Sequence, residues 1–207
     1  MTQTIGIIGA GTMGRGIAQI CASSAIDVTL CDLDQTQLDS ARSSIETGYA
    51  RMVQRDRMSD ADAQAALARL SFATGLDALA GASLTIEAAT EMPEVKLPLF
   101  EKIAGVCGDE TILASNTSSI SLTRIAAAVP RPERVIGMHF FNPVPVMQLL
   151  EIVRALQTSD ATYNTACQVA ERLNKTHVTV SDSPGFVVNR ILLPMVNEAV
   201  LSLAEGL

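Results

Sequence analysis

Two titratable residues set in an apolar stretch are the first candidates for chemistry. His139 and Glu151 lie twelve positions apart (151 − 139 = 12) in MHFFNPVPVMQLLEIV, residues 138–153, among Met138, Phe140, Phe141, Val144, Leu150 and Ile152. His139 closes one strand-like run and Glu151 falls in the next, so a reversal through Asn142 to Val146, stiffened by Pro143 and Pro145, can set the two side by side. A carboxylate accepting from one ring nitrogen fixes the tautomer of an imidazole and supports the imidazolium. The other nitrogen can then take a proton from a hydroxyl. With a hydride acceptor at the same carbon, the pair performs alcohol oxidation, or carbonyl reduction in reverse. The same spacing equally fits a buried His–Glu hydrogen bond that only holds the fold, and these residues alone leave both readings open. His177, the other histidine, sits in THVTV and reads as structural.

A second pattern supplies the hydride acceptor. Gly9-Ala10-Gly11-Thr12-Met13-Gly14 follows the strand-like TIGIIG and opens a helical stretch, the context that a dinucleotide-binding loop requires. Gly9 permits the tight turn, Gly11 lets the backbone approach a pyrophosphate, and Gly14 lets helix and strand pack closely. The helix start offers free N–H groups and a partial positive charge. Asp32 lies 23 positions after Gly9 (32 − 9 = 23), near the spacing of an acid that binds a ribose 2′-hydroxyl. No arginine occurs at 33–36, which favours NAD over NADP. FAD also fits the loop taken alone, as does a plain structural turn.

The elements that must position these residues are legible as alternation. Apolar runs at 4–9, 27–32, 83–88, 111–116 and 134–140 read as buried strands. Helical stretches fall at 12–24, 34–57, 60–69, 93–105 and 119–128, with Ser59 a helix N-cap. Strand, helix and strand follow at 147–153, 160–174 and 176–181. The pattern predicts an α/β fold: a Rossmann-type, doubly wound, mostly parallel sheet over residues 1–183, with a helical insertion at about 34–69. SDSPGF reads as a linker, and 187–205 as one helix with Val188, Leu192, Met195, Ala199 and Leu203 on a stripe. Residues 184–207 are thus a linker and one amphipathic helix, which either docks on a partner chain or begins a second domain.

Composition narrows the class. The chain has 207 residues, 48% hydrophobic, with a net charge of −7 and no basic run, which argues against a nucleic-acid partner. Four scattered cysteines form no CxxC pair, so no metal is expected, and their isolation suits a reducing, cytoplasmic setting. No apolar run approaches the roughly 20 residues of a membrane span, and the N-terminus lacks a signal-peptide pattern.

Taken together, IGIIGAGTMGRGIA, EAATE, SNTSSI, MHFFNPVPVMQLLEIV and DSPGFVVNRILLPMVNEA resemble the L-3-hydroxyacyl-CoA dehydrogenases over nearly the whole chain. The resemblance implies NAD as cofactor and an acyl-CoA thioester as substrate. It implies His139 as catalytic base and Glu151 as its partner, with Ser118 and Asn189 holding substrate oxygens. Glu91, Lys96, Asn116 and Asn142 become cofactor-side residues beside Gly9, Gly11, Thr12, Met13, Gly14 and Asp32. In the helical insertion Arg55, with Arg51 one turn before it, becomes a candidate for coenzyme A; Gly48 stands where the family has serine. The family's C-terminal helical domain forms a homodimer, and only its first helix, from about Val187, is expected here. The alternatives are a non-catalytic NAD-binding relative of the lens-crystallin kind, or an inactive fragment of the enzyme. A lysine-dependent hydroxyacid dehydrogenase is disfavoured by the histidine of HFFNP.

Overall fold

The computed structural model describes residues 4–207. Eight strands form one sheet in the order β3-β2-β1-β4-β5-β6-β7-β8. They are β1 (Thr4–Ile8), β2 (Asp27–Cys31), β3 (Leu70–Ala73), β4 (Leu84–Glu87), β5 (Ile112–Ser115), β6 (Val135–Phe140), β7 (Leu149–Arg154) and β8 (Thr176–Ser181). The first six run parallel in the order 3-2-1-4-5-6 of a dinucleotide-binding sheet. β7 turns back antiparallel to β6, and β8 follows β7 in parallel.

β4, β5 and β6 are buried at every residue, because helices cover both sheet faces. The helices are α1 (Thr12–Ser23), α2 (Gln35–Gln54), α3 (Asp60–Leu67), α4 (Pro93–Val106), α5 (Leu122–Ala126), α6 (Asp160–Arg172) and α7 (Val188–Ala204). One core layer includes Ile17, Ala18 and Cys21 of α1, Leu38 and Ile45 of α2, and Val169 of α6. The other holds Phe100 and Ile103 of α4 with Leu122 and Ile125 of α5. Small alanines between branched residues let these layers close without tryptophan.

Local chemistry sets the boundaries. Asp34 accepts from the Thr36 N–H to start α2, and Ser59, the cap the sequence predicts, accepts from the Asp62 N–H to start α3. The helical pair at 34–69 occupies the crossover from β2 to β3, an edge strand that the sequence reading does not mark. Its residues LSFA are few, and none is β-branched. The stretch 119–128 narrows to the five residues of α5, because the Thr117 and Ser121 hydroxyls hold the preceding turn in place. The predicted stripe on α7 is helical, but none of its residues is buried. Among the described residues no helix is long and apolar enough to cross a membrane.

Candidate active site

Strand order reverses at β1 and β4, and a crevice opens beyond their carboxyl ends. Gly9 turns the chain there at φ +98°, and a Cβ on it would lie 2.7 Å from the Ala88 carbonyl oxygen. A Cβ on Gly14 would lie 1.7 Å from the Gly9 carbonyl oxygen, so this contact of helix and strand requires glycine. Gly11 is different. A Cβ there would meet no protein atom within 4 Å, and its φ is −67°. Nothing in the chain itself demands glycine at 11, and the backbone there is open to the approach of a ligand. No side chain caps α1, so its first N–H groups are available to an anion. Asp32 accepts from the Ala10 N–H at 2.7 Å and the Asp34 N–H at 3.0 Å, which leaves lone pairs for ribose hydroxyls. A hollow of about 690 Å³ beside Gly9, Gly11 and Asp32 can take the adenosine end of a dinucleotide. Gly11→Ala is expected to keep the fold, within about 1 kcal/mol, yet weaken NADH binding by roughly tenfold or more. Urea unfolding and NADH fluorescence titration measure the two.

Across the rim at Ala88–Thr90 lies a second cleft of about 370 Å³. Met13, Glu91, Lys96, Asn116, Ser118, His139, Asn142 and Asn189 all line it. The β6–β7 register sets His139 directly opposite Glu151, on one face of an antiparallel pair. The turn between them is closed by the Val146 and Met147 N–H groups, both donating to the Pro143 carbonyl. His139 Nδ1 lies 2.7 Å from Glu151 Oε2, and both side chains are buried. An ionised Glu151 can only accept, so Nδ1 carries the proton and Nε2 is the free base. Nε2 has no partner among the described residues. Glu151 is also engaged at Oε1, which accepts from the Val187 and Val188 N–H groups at 3.1 and 2.9 Å. The carboxylate that holds the histidine therefore also caps the start of α7.

Glu91 is held between two hydroxyls and an amide. It accepts from Thr117 Oγ1 at 2.6 Å, the Ser118 N–H at 2.6 Å and Ser118 Oγ at 2.8 Å. Burial raises its pKa, but these hydrogen bonds and the Lys96 ammonium outweigh burial and hold it below the ordinary 4.5. A group depressed on folding stabilises the fold above its unfolded pKa and loses that contribution as pH falls through its native one. The melting-temperature gap between the wild type and Glu91→Gln is therefore expected to be full near neutrality and to shrink below pH 4.5. An unchanged gap at acid pH would show that Glu91 is not held ionised by the fold.

Lys96 lines the cleft, but its ammonium is committed to Glu87 and, at 3.4 Å, to Ser115 Oγ. Asn116 accepts from the Phe140 N–H at 2.9 Å, which fixes its amide at the cleft wall. Thr12 and Arg51 line a neighbouring groove of about 350 Å³ that also borders Asn142. Arg55, the C-cap of α2 at φ −101°, does not line this groove. At Gly48 a Cβ would fall 2.8 Å from the Gln19 amide, so Gln19 fills the space of the family's serine. Sequence reasoning missed Glu87, Thr117 and Phe186. A carboxylate ending the all-buried strand LTIE, nine residues before a lysine, was the available signal for Glu87. Among the described residues no group of three His, Cys, Asp or Glu side chains could hold a metal ion.

A cleft of this build can move a proton and a hydride to or from one carbon, which places the chain among the NAD-dependent dehydrogenases of the dinucleotide-binding fold. Comparison with known proteins narrows the class. Residues 4–183 match the family model for the 3-hydroxyacyl-CoA dehydrogenase NAD binding domain. A 3-hydroxybutyryl-CoA dehydrogenase of Bradyrhizobium diazoefficiens is 45% identical over 99% of this chain and 70% of its own length. A 3-hydroxyadipyl-CoA dehydrogenase of Escherichia coli is 43% identical over 98% of this chain and 43% of its own length. The crystal structure of an (S)-3-hydroxybutyryl-CoA dehydrogenase from Ralstonia eutropha superposes with a TM-score of 0.97 at 46% identity, covering 100% of this chain and 73% of that one. The chain belongs to the 3-hydroxyacyl-CoA dehydrogenase family, and its cofactor is NAD.

Proposed function

We propose that this chain oxidises the L-3-hydroxyl group of a short acyl-CoA thioester, reversibly, through the His139–Glu151 pair. The observation that carries the reading is the 2.7 Å contact of His139 Nδ1 with Glu151, which leaves Nε2 as a base on the wall of the cleft. Nε2 takes the proton of the substrate hydroxyl, and Glu151 stabilises the imidazolium that forms. The chemistry that NAD supplies when bound is acceptance of hydride from C3. The glycine loop and the start of α1 hold the pyrophosphate, Asp32 the ribose, and Glu91, Asn116 and Asn142 the wall on which the nicotinamide end rests. Lys96 serves that wall through Glu87 rather than by direct contact.

Ser118 and Asn189 supply hydrogen-bond donors for the oxygens of the substrate. The Ser118 hydroxyl, which donates to Glu91 at 2.8 Å, can rotate to donate to the substrate oxygen instead. Arg51, beside Thr12 and Asn142, is better placed than Arg55 to meet phosphates of coenzyme A. Self-association belongs to the same reading, supported by the apolar residues that α7 exposes, among them Ile191, Leu193 and Val200. The test follows NADH absorbance with acetoacetyl-CoA and with free acetoacetate. Turnover of the thioester alone is expected; equal turnover of the free acid would overturn the assignment. Tight NADH binding without any turnover would favour the non-catalytic relative.

A further inference from the structure

The linker after β8 does more than connect. Gly185 and Phe186 take left-handed φ values of +76° and +52° in succession. Glycine accepts such a value freely, but a phenylalanine there is a backbone outlier, and outliers of this kind persist only where their surroundings hold them. Three contacts hold this one. The Phe186 N–H donates to the Ser183 carbonyl at 2.9 Å, and its side chain is 1% exposed within the second core layer. Its ring meets the His139 imidazole edge-on, with centroids 5.6 Å apart at 61°. The next two N–H groups, of Val187 and Val188, both donate to Glu151. One strained corner therefore addresses both members of the pair, with ring to imidazole and amides to carboxylate. Phe141 supplies a second aromatic contact to the imidazole at 4.5 Å.

We propose that Phe186 is a positioning residue of this active site: its left-handed backbone seats the ring against His139 and so fixes the orientation in which Nε2 faces the cleft. The inference rests on the proposed role of His139 as base. An imidazole held only by Glu151 can still swing about that single hydrogen bond. An edge-on ring removes this freedom, and small misplacements of a catalytic group cost rate steeply. A residue that merely fills the core would affect stability and leave the histidine ring as it is.

The test uses the full chain and its two histidines, His139 and His177. Side-chain NMR of both rings, assigned with His139→Gln, reports the imidazole ¹⁵N shifts and the protonated nitrogen, which follow tautomer and hydrogen bonding rather than the ring current of a neighbouring aromatic, without any need for turnover. Phe186→Leu keeps apolar bulk and loses the ring. It is expected to move the His139 ring signals and leave those of His177 unchanged. It should also lower kcat by roughly 10- to 100-fold, with both KM values within about twofold. Phe186→Gly removes the ring while accepting the left-handed φ, so it is the variant to use if leucine unfolds the chain. It too should displace the His139 signals. Wild-type His139 signals in a folded Phe186 variant would overturn the proposal, as would an unchanged kcat. A wild-type chain that turns over no thioester would count against the proposed function, while the NMR arm would still decide the positioning role.

Discussion

His139→Gln is expected to lower kcat for acetoacetyl-CoA reduction by at least ~100-fold, and by up to ~10⁴-fold, the range over which a general acid–base group contributes. Glutamine is chosen because its amide can donate to Glu151 as Nδ1 does at 2.7 Å, so the buried carboxylate keeps a partner. An amide cannot take or return a proton at neutral pH, so the chemistry is lost while the wall of the cleft remains. NADH affinity should therefore stay within a few-fold, since neither the glycine loop nor Asp32 touches this residue among the described contacts. Steady-state NADH absorbance and a fluorescence titration on the same sample separate the two. Comparable turnover by the variant would remove His139 from the role of base. Loss of NADH binding together with turnover would instead show that the histidine builds the cofactor cleft.

The parts of this design that were legible in the sequence are those carried by local pattern. The glycine loop announces itself because its pattern is complete within six consecutive residues, with Gly9 turning the chain at a positive φ and Gly14 packed on the Gly9 carbonyl. The pairing of His139 with Glu151 is legible because a short antiparallel return maps spacing onto register. What was not legible depends on contacts far apart in sequence. Glu151 meets the Val187 and Val188 amides 36 and 37 positions away, and no spacing rule connects a strand carboxylate to a helix start at that distance. Phe186 reads as one more apolar residue until its φ and its contact with His139 are known. β3 escaped because a four-residue edge strand following two helices is too short for a period to show.

Lys96→Met is expected to destabilise the fold by about 3–5 kcal/mol, the cost of leaving one member of a buried ion pair alone. The Lys96 and Glu87 side chains are each 1% exposed, and their mutual contact is the only salt bridge of either among the described residues. Glu87 also accepts from the Ala89 N–H at 2.9 Å and from Ser115 Oγ at 2.9 Å, and Ser115 in turn accepts from the Thr117 N–H at 3.2 Å. The carboxylate thus organises the rim at Ala88–Thr90 and the turn that presents Thr117 and Ser118 to Glu91. Without the ammonium, Glu87 must take up a proton or water must reach it, and both outcomes disturb that rim. Urea unfolding should show a lower midpoint at an unchanged slope, with a fall of roughly 6–20 °C in Tm for a chain of this size. Pairing Lys96→Met with Glu87→Gln should recover most of the loss, because the amide oxygen can accept from the Ala89 N–H and the amide nitrogen can donate to Ser115 Oγ, without a buried charge. A single variant that loses less than about 1 kcal/mol would mean that water reaches Glu87 in solution. The double variant then separates two jobs of the pair. If stability returns but NADH affinity does not, the ammonium contributes to the cofactor cleft as a charge; if both return, it contributes only by holding Glu87 in place.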